Sequence, residues 1–267
     1  MTLSRTREIS PRVLWLDAVG STNTELARLV AAEPVDAWPH LSVLATDNQT
    51  AGKGRLGRVW TAPPGGSLAA SVLVRPGRGR AFDPEGYGWL PLIAGAAMAQ
   101  ALADLVESPG RVELKWPNDV QINGLKVCGI LTELLPDGSV IIGSGVNLAL
   151  AEHELPTPTS TSLSLVGSPV SADDVLTGYL AELGPLLDEL AQSGGVAAAT
   201  SIPGYVSRRC NTIGQSVRVE LPSGQSPVGV ALGLDSRGCL LVETTTGESL
   251  AVAAGDVTHL RVIMNGE

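Results

Sequence analysis

The chain has 267 residues, of which 18 are Lys or Arg and 27 are Asp or Glu, so its formal net charge is -9. A chain of this length can form one large domain, or a large and a small one, with an ample core. The acidic balance argues against a general binder of nucleic acid or of membrane surfaces. We therefore expect small molecules or proteins as partners, with no nucleic acid and no membrane among them.

The few residues that could ligate a metal or form disulfides are scattered. Three cysteines stand far apart without C-x-x-C spacing, at Cys128, Cys210 and Cys239. They predict neither a disulfide framework nor a zinc site, and the reducing cytoplasm fits them. The histidines are equally dispersed. The N-terminus has no apolar core of signal-peptide length, and the most apolar stretch, residues 90–106, is too short to span a bilayer and contains Asp104.

Strand and helix patterns alternate along the first two thirds of the chain. Helical periodicity is found in residues 21–32, 91–106 and 173–192, and strand patterns in residues 13–19, 41–46, 67–74, 112–116, 119–123, 129–135 and 139–150. Short turns such as "INGLK" and "LPDGS" join antiparallel neighbours. The fold class is therefore α+β, with a mixed or antiparallel central sheet and flanking helices.

Three local features refine this outline. Glu25 follows Thr22 by three positions at the start of the first helix, which predicts a capping box. Residues 151–172 and 193–204 have the composition of loops. From about Ile213 onward, short alternating strands recur at close to ten-residue intervals and predict a small β-barrel. We assign residues 1–210 to a catalytic domain and residues 211–267 to this barrel.

The loop "TAGKGRLGRVW", residues 50–60, carries the G-x-G-x-x-G spacing of a dinucleotide-binding turn. That motif must open a helix and meet an acidic residue about 20 positions later. Here prolines and glycines follow, and arginines stand where the carboxylate should be. The loop instead combines open backbone N–H groups with Lys53, Arg55 and Arg58, which suits a phosphate or carboxylate. A solvated basic turn is the simpler alternative.

Further motifs follow downstream: "KWPND" (115–119), "LKVCGIL" (125–131) and "GSGVNL" (143–148). Together with "STNTE" and "QTAGKGRLGRVW", in this order and spacing, they resemble the catalytic domain of biotin-protein ligases of the type without an N-terminal DNA-binding domain. The final β-domain resembles the SH3-like C-terminal module of that family. Five co-ordered motifs are far more specific than any one of them.

The resemblance implies an enzyme that forms biotinyl-5'-AMP from biotin and ATP with release of pyrophosphate. It then transfers biotin to a lysine of the biotin carboxyl carrier domain of biotin-dependent acyl-CoA carboxylases. The implied biotin-binding residues are Ser21, Thr22, Asn23, Gln49, Gly52, Arg55 and Lys126, and Arg55 and Lys126 are also the implied catalytic cations. The implied ATP and adenylate contacts are Arg58, Trp60, Asn118, Asp119 and Asn147. Asp119 is the implied ligand of Mg²⁺, which usually takes one or two carboxylates plus phosphates.

Elementary chemistry supports such an assignment. Joining a carboxylate to ATP brings two anions together, so positioned cations must stabilise the charge that develops at the α-phosphate. A mixed anhydride hydrolyses easily, so a loop that closes over it is useful. Hydroxyl and amide side chains match the neutral donor and acceptor groups of the biotin ring.

The sequence also departs from the family and leaves alternatives. Lys53 stands where arginine is common, so a bidentate contact there would become a point-charge contact. The short segment before the first catalytic strand predicts no operator-binding domain. A lipoate ligase, with a similar catalytic domain, and a non-catalytic biotin-binding regulator remain open. Taken singly, Asn118 and Asp119 also fit an ordinary turn, and the glycines of "GSG" fit close packing.

Overall fold

In the part of the chain that the structure describes, two large β-sheets and one two-stranded sheet organise the protein. The computed structural model describes residues 3–77, 79–107, 110–221, 224–253 and 256–259. The strands are β1 (Val13–Trp15), β2 (Val43–Thr46), β3 (Gly52–Lys53), β4 (Val59–Trp60), β5 (Ser67–Val74), β6 (Val112–Lys115), β7 (Asp119–Ile122), β8 (Leu125–Leu134), β9 (Val140–Asn147), β10 (Ser216–Glu220), β11 (Val228–Leu234), β12 (Leu240–Thr244), β13 (Ser249–Val252) and β14 (Asp256–His259).

The larger sheet has seven strands in the order β1-β2-β5-β9-β8-β7-β6. The pair β1–β2 is parallel, and the other neighbours are antiparallel. The predicted mixed sheet is therefore confirmed. Central strand β5 is buried along all of its eight residues, which explains its continuous run of small and apolar side chains.

Among the described residues, five α-helices flank the sheets: α1 (Thr6–Ile9), α2 (Thr22–Ala32), α3 (Leu90–Leu105), α4 (Ala172–Gln192) and α5 (Ile202–Arg209). The helices α2, α3 and α4 agree with the predicted ones within about one residue. The sequence patterns did not indicate α1. The predicted loop 193–204 is wrong from Ile202 onward, because Pro203 stands in the first turn of α5, where proline is tolerated, and does not break a helix there.

The predicted capping box at α2 is also wrong. The N-cap is Ser21, whose side chain accepts a hydrogen bond from the Thr24 N–H at 3.5 Å. Glu25 instead accepts from Arg28, one turn along the helix, at 2.7 Å. This bond is the main cause of the lowered pKa of the Glu25 carboxyl.

The apolar helix α3 packs between the large sheet and α4. Gly95 allows the close approach, because a Cβ there would lie 2.6 Å from Leu114 Cδ1 of β6. Residues 84–105, which include the preceding 3₁₀ turn, are long and apolar enough by composition to cross a membrane, and 67% of the most apolar window is buried. This segment is longer than the apolar stretch of residues 90–106, which the sequence pattern predicts to be too short to span a bilayer. Its burial is that of a core helix.

The second sheet is antiparallel, with the order β13-β12-β11-β10-β14, and forms the predicted SH3-like barrel domain. The part of the predicted last strand beyond His259 lies outside the described residues. A turn between β11 and β12, residues 235–239, contacts the catalytic domain. There Trp89 Nε1 donates to the Ser236 carbonyl at 2.7 Å, and Trp116 Nε1 donates to the Gly238 carbonyl at 3.2 Å.

Candidate active site

A cavity of about 370 Å³ opens between the first turn of α2, the β3–β4 hairpin and the faces of β8 and β9. It brings together residues from five separate motifs. The predicted site residues that line it are Ser21, Thr22, Asn23, Gln49, Arg55, Arg58, Trp60, Asn118, Asp119, Lys126 and Asn147. Their joint placement makes this cavity the candidate site.

Gly52 is a predicted site residue that does not line the cavity. It is buried in β3, where a Cβ would collide with the Trp60 carbonyl oxygen and the Gln49 amide nitrogen. The contribution of Gly52 is therefore space: it lets the β4 backbone and the Gln49 side chain approach each other. The sequence placed this glycine in direct contact with a ligand, whereas the structure places it behind the wall.

The end of the cavity beside the first turn of α2 presents neutral hydrogen-bonding groups. Gln49 Oε1 accepts from the Thr22 N–H at 2.8 Å and from Thr22 Oγ1 at 3.1 Å. These two bonds use both lone pairs of the amide oxygen, so the amide N–H groups of Gln49 remain as donors. Because the Thr22 hydroxyl has given its hydrogen to Gln49, its oxygen remains as an acceptor. This end can therefore bind a group that has both a carbonyl and an N–H.

The cavity also carries charged side chains. Among the described residues, four cationic side chains and one carboxylate line it, those of Lys53, Arg55, Arg58, Lys126 and Asp119. Lys53 lies beside α2, where its Nζ donates to Thr24 Oγ1 at 2.9 Å. Lys126 Nζ lies 2.7 Å from Asp119 Oδ1, and both side chains are partly exposed, at 32% and 26%. In a chain with a net charge of -9, this local excess of positive charge favours an anionic ligand.

The glycine-rich loop is a two-stranded hairpin. Strands β3 and β4 pair, and a 3₁₀ turn, Arg55–Gly57, joins them. Leu56 and Gly57 have positive φ angles of 55° and 74°. Arg55 Nη1 donates to Asn118 Oδ1 at 2.8 Å, so the tip of the hairpin is tied to the "KWPND" segment. The elements that follow the loop are the strands β4 and β5, whereas a dinucleotide-binding turn would open an α-helix.

Trp60 of the hairpin lies across the floor of the cavity. The floor is formed by Gly129 of β8 and Gly145 of β9, which are register partners. A Cβ at Gly145 would lie 2.6 Å from the indole ring, and one at Gly129 would lie 3.4 Å from it. The Trp60 Nε1–H is buried without a hydrogen-bond partner among the described residues. Glycine is therefore needed at Gly145 so that the flat ring can rest on β9, whereas a Cβ at Gly129 would make an ordinary contact with the ring.

Sequence reasoning missed one wall of the cavity. Pro156, Thr157, Thr159 and Ser160 line it from the predicted loop 151–172. The backbone there pairs with Lys126, whose N–H donates to Thr159 O and whose carbonyl accepts from the Thr161 N–H, both at 2.8 Å. Asn147 Nδ2 donates to Thr161 O at 2.9 Å. Only composition was available to find this wall, and composition does not indicate which strand a loop contacts.

Thiol chemistry does not belong to this site. Burial raises the pKa of the Cys128 thiol far above its usual range, and burial likewise raises the pKa values of Cys210 and Cys239. A thiol held in its protonated form is a poor nucleophile. The described residues also contain no cluster of three or more His, Cys, Asp or Glu side chains that could hold a metal ion by themselves.

Comparison with known proteins places this chain in a family. A model of the Biotin/lipoate A/B protein ligase family matches residues 15–147, and a model of the biotin protein ligase C-terminal domain matches residues 212–260. The Biotin--[acetyl-CoA-carboxylase] ligase of Mycobacterium tuberculosis is 38% identical over 247 residues, covering 91% of this chain and 86% of that protein. The chain belongs to the biotin/lipoate A/B protein ligase family.

Other ligases of this kind resemble the chain along most of its length. The Bifunctional ligase/repressor BirA of Bacillus subtilis is 29% identical, with coverage of 91% of this chain and 73% of that protein. The solved structure of the biotin protein ligase from Aquifex aeolicus in complex with biotin and ATP matches with a TM-score of 0.75 and 26% identity. That match covers 93% of this chain and 99% of the other. The structural similarity therefore extends over both the large mixed sheet and the C-terminal barrel of the present chain.

Proposed function

We propose that the cavity activates biotin with ATP and then passes it to a lysine of a carrier domain. The chain is an ATP-dependent biotin protein ligase, and biotin and ATP are its substrates. In the first step a biotin carboxylate oxygen attacks the α-phosphorus of ATP, and the bond to pyrophosphate breaks. In the second step a lysine amine attacks the acyl carbon, the bond to AMP breaks, and the amine loses a proton.

The observation that carries the proposal is the polarity of the cavity. Biotin has a neutral ring urea, with a carbonyl and N–H groups, at one end and a carboxylate at the other. The Gln49–Thr22 pair offers a donor and an acceptor beside α2, whereas Lys126 and Arg55 are bonded to Asp119 and Asn118 of the "KWPND" segment. This separation orients the ligand with its carboxylate beside the cations, where ATP phosphates must also bind.

Lys126 and Arg55 are the proposed catalytic cations. The Lys126 ammonium is held by Asp119 and lies 5.9 Å from the centre of the Trp60 ring. A flexible lysine stem can carry its charge from Asp119 to an incoming phosphate oxygen. Fixed positive charge near the α-phosphate stabilises the transition state because negative charge accumulates there.

Mg²⁺ fits the chemistry of the donor set. Asp119 supplies one carboxylate to the cavity, and this ion is commonly held by one or two carboxylates together with substrate phosphates. We therefore propose that Asp119 and ATP phosphates hold the ion. Bound there, it would offset phosphate charge. The roles of Asn118 and Asn147 beside the adenylate, and of Arg58 beside its phosphate, belong to the same proposal.

A mass spectrum of the small molecules formed in solution tests the substrate. The protein is incubated with Mg-ATP and equimolar biotin and lipoate, without an acceptor. Biotinyl-AMP alone is the expected product. Lipoyl-AMP would make the protein a lipoate ligase, and the absence of both products would favour a non-catalytic biotin-binding regulator.

Arg55→Gly is expected to let biotinyl-AMP escape. The substitution removes the 2.8 Å bond to Asn118 that ties the hairpin to the "KWPND" segment, so the lid opens more often. We expect the fraction of intermediate retained after rapid desalting to fall by about tenfold, which corresponds to the loss of one hydrogen bond to a charged group. Arg218→Ala, an exposed change on β10, is the control. Equal retention by the Arg55→Gly and wild-type proteins would refute the lid role.

The transfer step is expected to accelerate with pH. The attacking amine must be deprotonated, and an ordinary lysine has a pKa of about 10.4, so its reactive fraction rises about tenfold per pH unit below that value. The measurement is the rate of transfer from preformed biotinyl-AMP to a carrier domain between pH 7 and 9. Hydrolysis of the intermediate without carrier is subtracted at each pH. A flat profile would contradict amine attack as the rate-limiting step.

Partner, domain limits and location complete the proposal. The similarity to the Biotin--[acetyl-CoA-carboxylase] ligase of Mycobacterium tuberculosis supports the biotin carrier of an acyl-CoA carboxylase as the acceptor. The two family models and the start of the second sheet at Ser216 support a division into residues 1–210 and 211–267. Three free cysteines support a cytoplasmic location.

A further inference from the structure

Asn23, in the first turn of α2, is bonded to two strands of the large sheet. Its Nδ2 donates to Glu133 Oε2 at 2.6 Å and to the Leu131 carbonyl at 3.3 Å, both on β8. Its Oδ1 accepts from Ser71 Oγ of β5 at 2.6 Å. Only 4% of Asn23 is exposed. The helix turn that carries Ser21 and Thr22 is therefore fixed on the sheet through one side chain.

These bonds define which way the Asn23 amide faces. A carboxylate and a carbonyl can only accept, so both N–H groups of the amide are committed to β8. The oxygen has two lone pairs and Ser71 takes one of them. What Asn23 offers the cavity is therefore a single acceptor, on Oδ1.

The strand beneath Asn23 is shaped for this arrangement. Gly143 of β9 is the register partner of both Ser71 and Leu131. A Cβ at Gly143 would collide with Asn23 Oδ1. The absence of a side chain at Gly143 thus lets the amide lie on β9 while it bonds to β5 and β8 on either side.

We propose that Glu133, which does not line the cavity, is a positioning residue for biotin binding. With Ser71 it holds Asn23 so that Oδ1 faces a ring N–H of biotin, and it holds the α2 turn so that Thr22 and Gln49 keep their geometry. The proposal rests on the proposed function, because it names biotin as the molecule bound there. The partly buried Glu133 carboxylate acts through Asn23 and does not touch the substrate.

The test compares Glu133→Ala, Glu133→Gln and Leu134→Ala. Leu134 is the next residue of β8, is 65% exposed, and controls for a change in the strand itself. Biotin affinity is measured by calorimetry without ATP, and the maximal rate of biotinyl-AMP formation is measured at saturating biotin. Glu133→Ala is expected to weaken biotin binding by about tenfold, as for one charge-assisted hydrogen bond, with the maximal rate within about twofold of wild type.

The conservative variant sharpens the result. Glu133→Gln keeps an oxygen that can accept from Asn23 Nδ2, so we expect it to restore affinity to within about threefold of wild type, and Leu134→Ala to bind normally. The proposal is overturned if folded Glu133→Ala binds biotin as wild type does. It is also overturned if Glu133→Ala lowers affinity and maximal rate together, in proportion to the fraction folded.

A second measurement tests the hydrogen bond between Glu133 and Asn23 without using biotin. Thermal unfolding of Asn23→Ala, Glu133→Ala and the double variant gives their coupling, which we expect to be non-additive because the two side chains are in direct contact. Additive effects would overturn the Glu133–Asn23 link. If the wild-type protein fails to bind biotin, the proposed function falls, and this coupling still decides whether Glu133 positions Asn23.

Discussion

Replacing Lys126 by glutamine is expected to slow the formation of biotinyl-AMP by at least about 100-fold, the usual cost of removing one donor that stabilises charge in a transition state. Lys126 is held at the cavity by its backbone, which pairs with Thr159 and Thr161. Its ammonium lies 2.7 Å from Asp119. Glutamine can keep the backbone pairing and much of the side-chain volume but supplies no positive charge. The loss should therefore appear in the maximal rate of adenylate formation, measured by pyrophosphate release.

A second variant separates two causes of that loss. Lys126→Gln leaves Asp119 without its cation, so an unpaired carboxylate could itself repel ATP. The double variant Lys126→Gln/Asp119→Asn removes this repulsion. We expect it to be no faster than Lys126→Gln, because the missing cation is the cause and Asp119→Asn also removes the proposed Mg²⁺ ligand. Recovery of activity in the double variant would assign the effect to Asp119.

The matched control is Arg218→Gln on the exposed face of β10. It changes the net charge of the protein by the same amount as Lys126→Gln but lies on the barrel. Its rate of adenylate formation is expected to be that of wild type, because charges on a distant solvated surface are screened. A Lys126→Gln rate within about tenfold of wild type would contradict a catalytic role for Lys126.

The sequence predicted the elements best where local signals and burial agree. Strand β5 matches its predicted limits because a continuous run of small and apolar residues is bounded by glycines on one side and by Arg75-Pro76 on the other. Helix α4 begins at Ala172, one residue before the predicted start, where Ser171 and Asp174 form a true capping box. At α2 the same kind of signal failed, because Glu25 bonds to Arg28 instead. The spacing of residues along the sequence does not show which of two nearby partners a side chain will bond to.

The candidate site was predictable as a set of residues but not as a geometry. Motif order brought eleven of the twelve predicted residues to one cavity. The contacts within it depend on tertiary structure: Glu133 meets Asn23 across 110 positions of sequence. The register of β7 and β8 also shifts between Val120 and Gln121, so Cys128 and Lys126 oppose neighbouring residues of β7. A β-bulge of this kind changes the face of the sheet on which a side chain lies, and the sequence pattern did not predict it.

Gly238→Ala tests whether the barrel supports the catalytic domain. Gly238 has φ of +79°, and a Cβ there would lie 2.9 Å from Leu92 Cδ1 and 3.2 Å from the Gly88 carbonyl oxygen. Its own carbonyl accepts from Trp116 Nε1, two residues before Asn118. We expect the free energy of unfolding to fall by about 2–4 kcal/mol in denaturant titration, from backbone strain together with overpacking.

A second glycine separates these two contributions. Gly247 has φ of +83°, and no atom lies within 4 Å of a Cβ built there. Gly247→Ala therefore carries the strain without the contact, and should cost only about 1–2 kcal/mol. The larger loss at Gly238 should be accompanied by slower adenylate formation in the fraction that stays folded, because movement of Trp116 displaces Asn118 and with it the bond that holds Arg55. Equal losses of stability in the two variants, with unchanged rates, would show that the barrel turn does not position the "KWPND" segment.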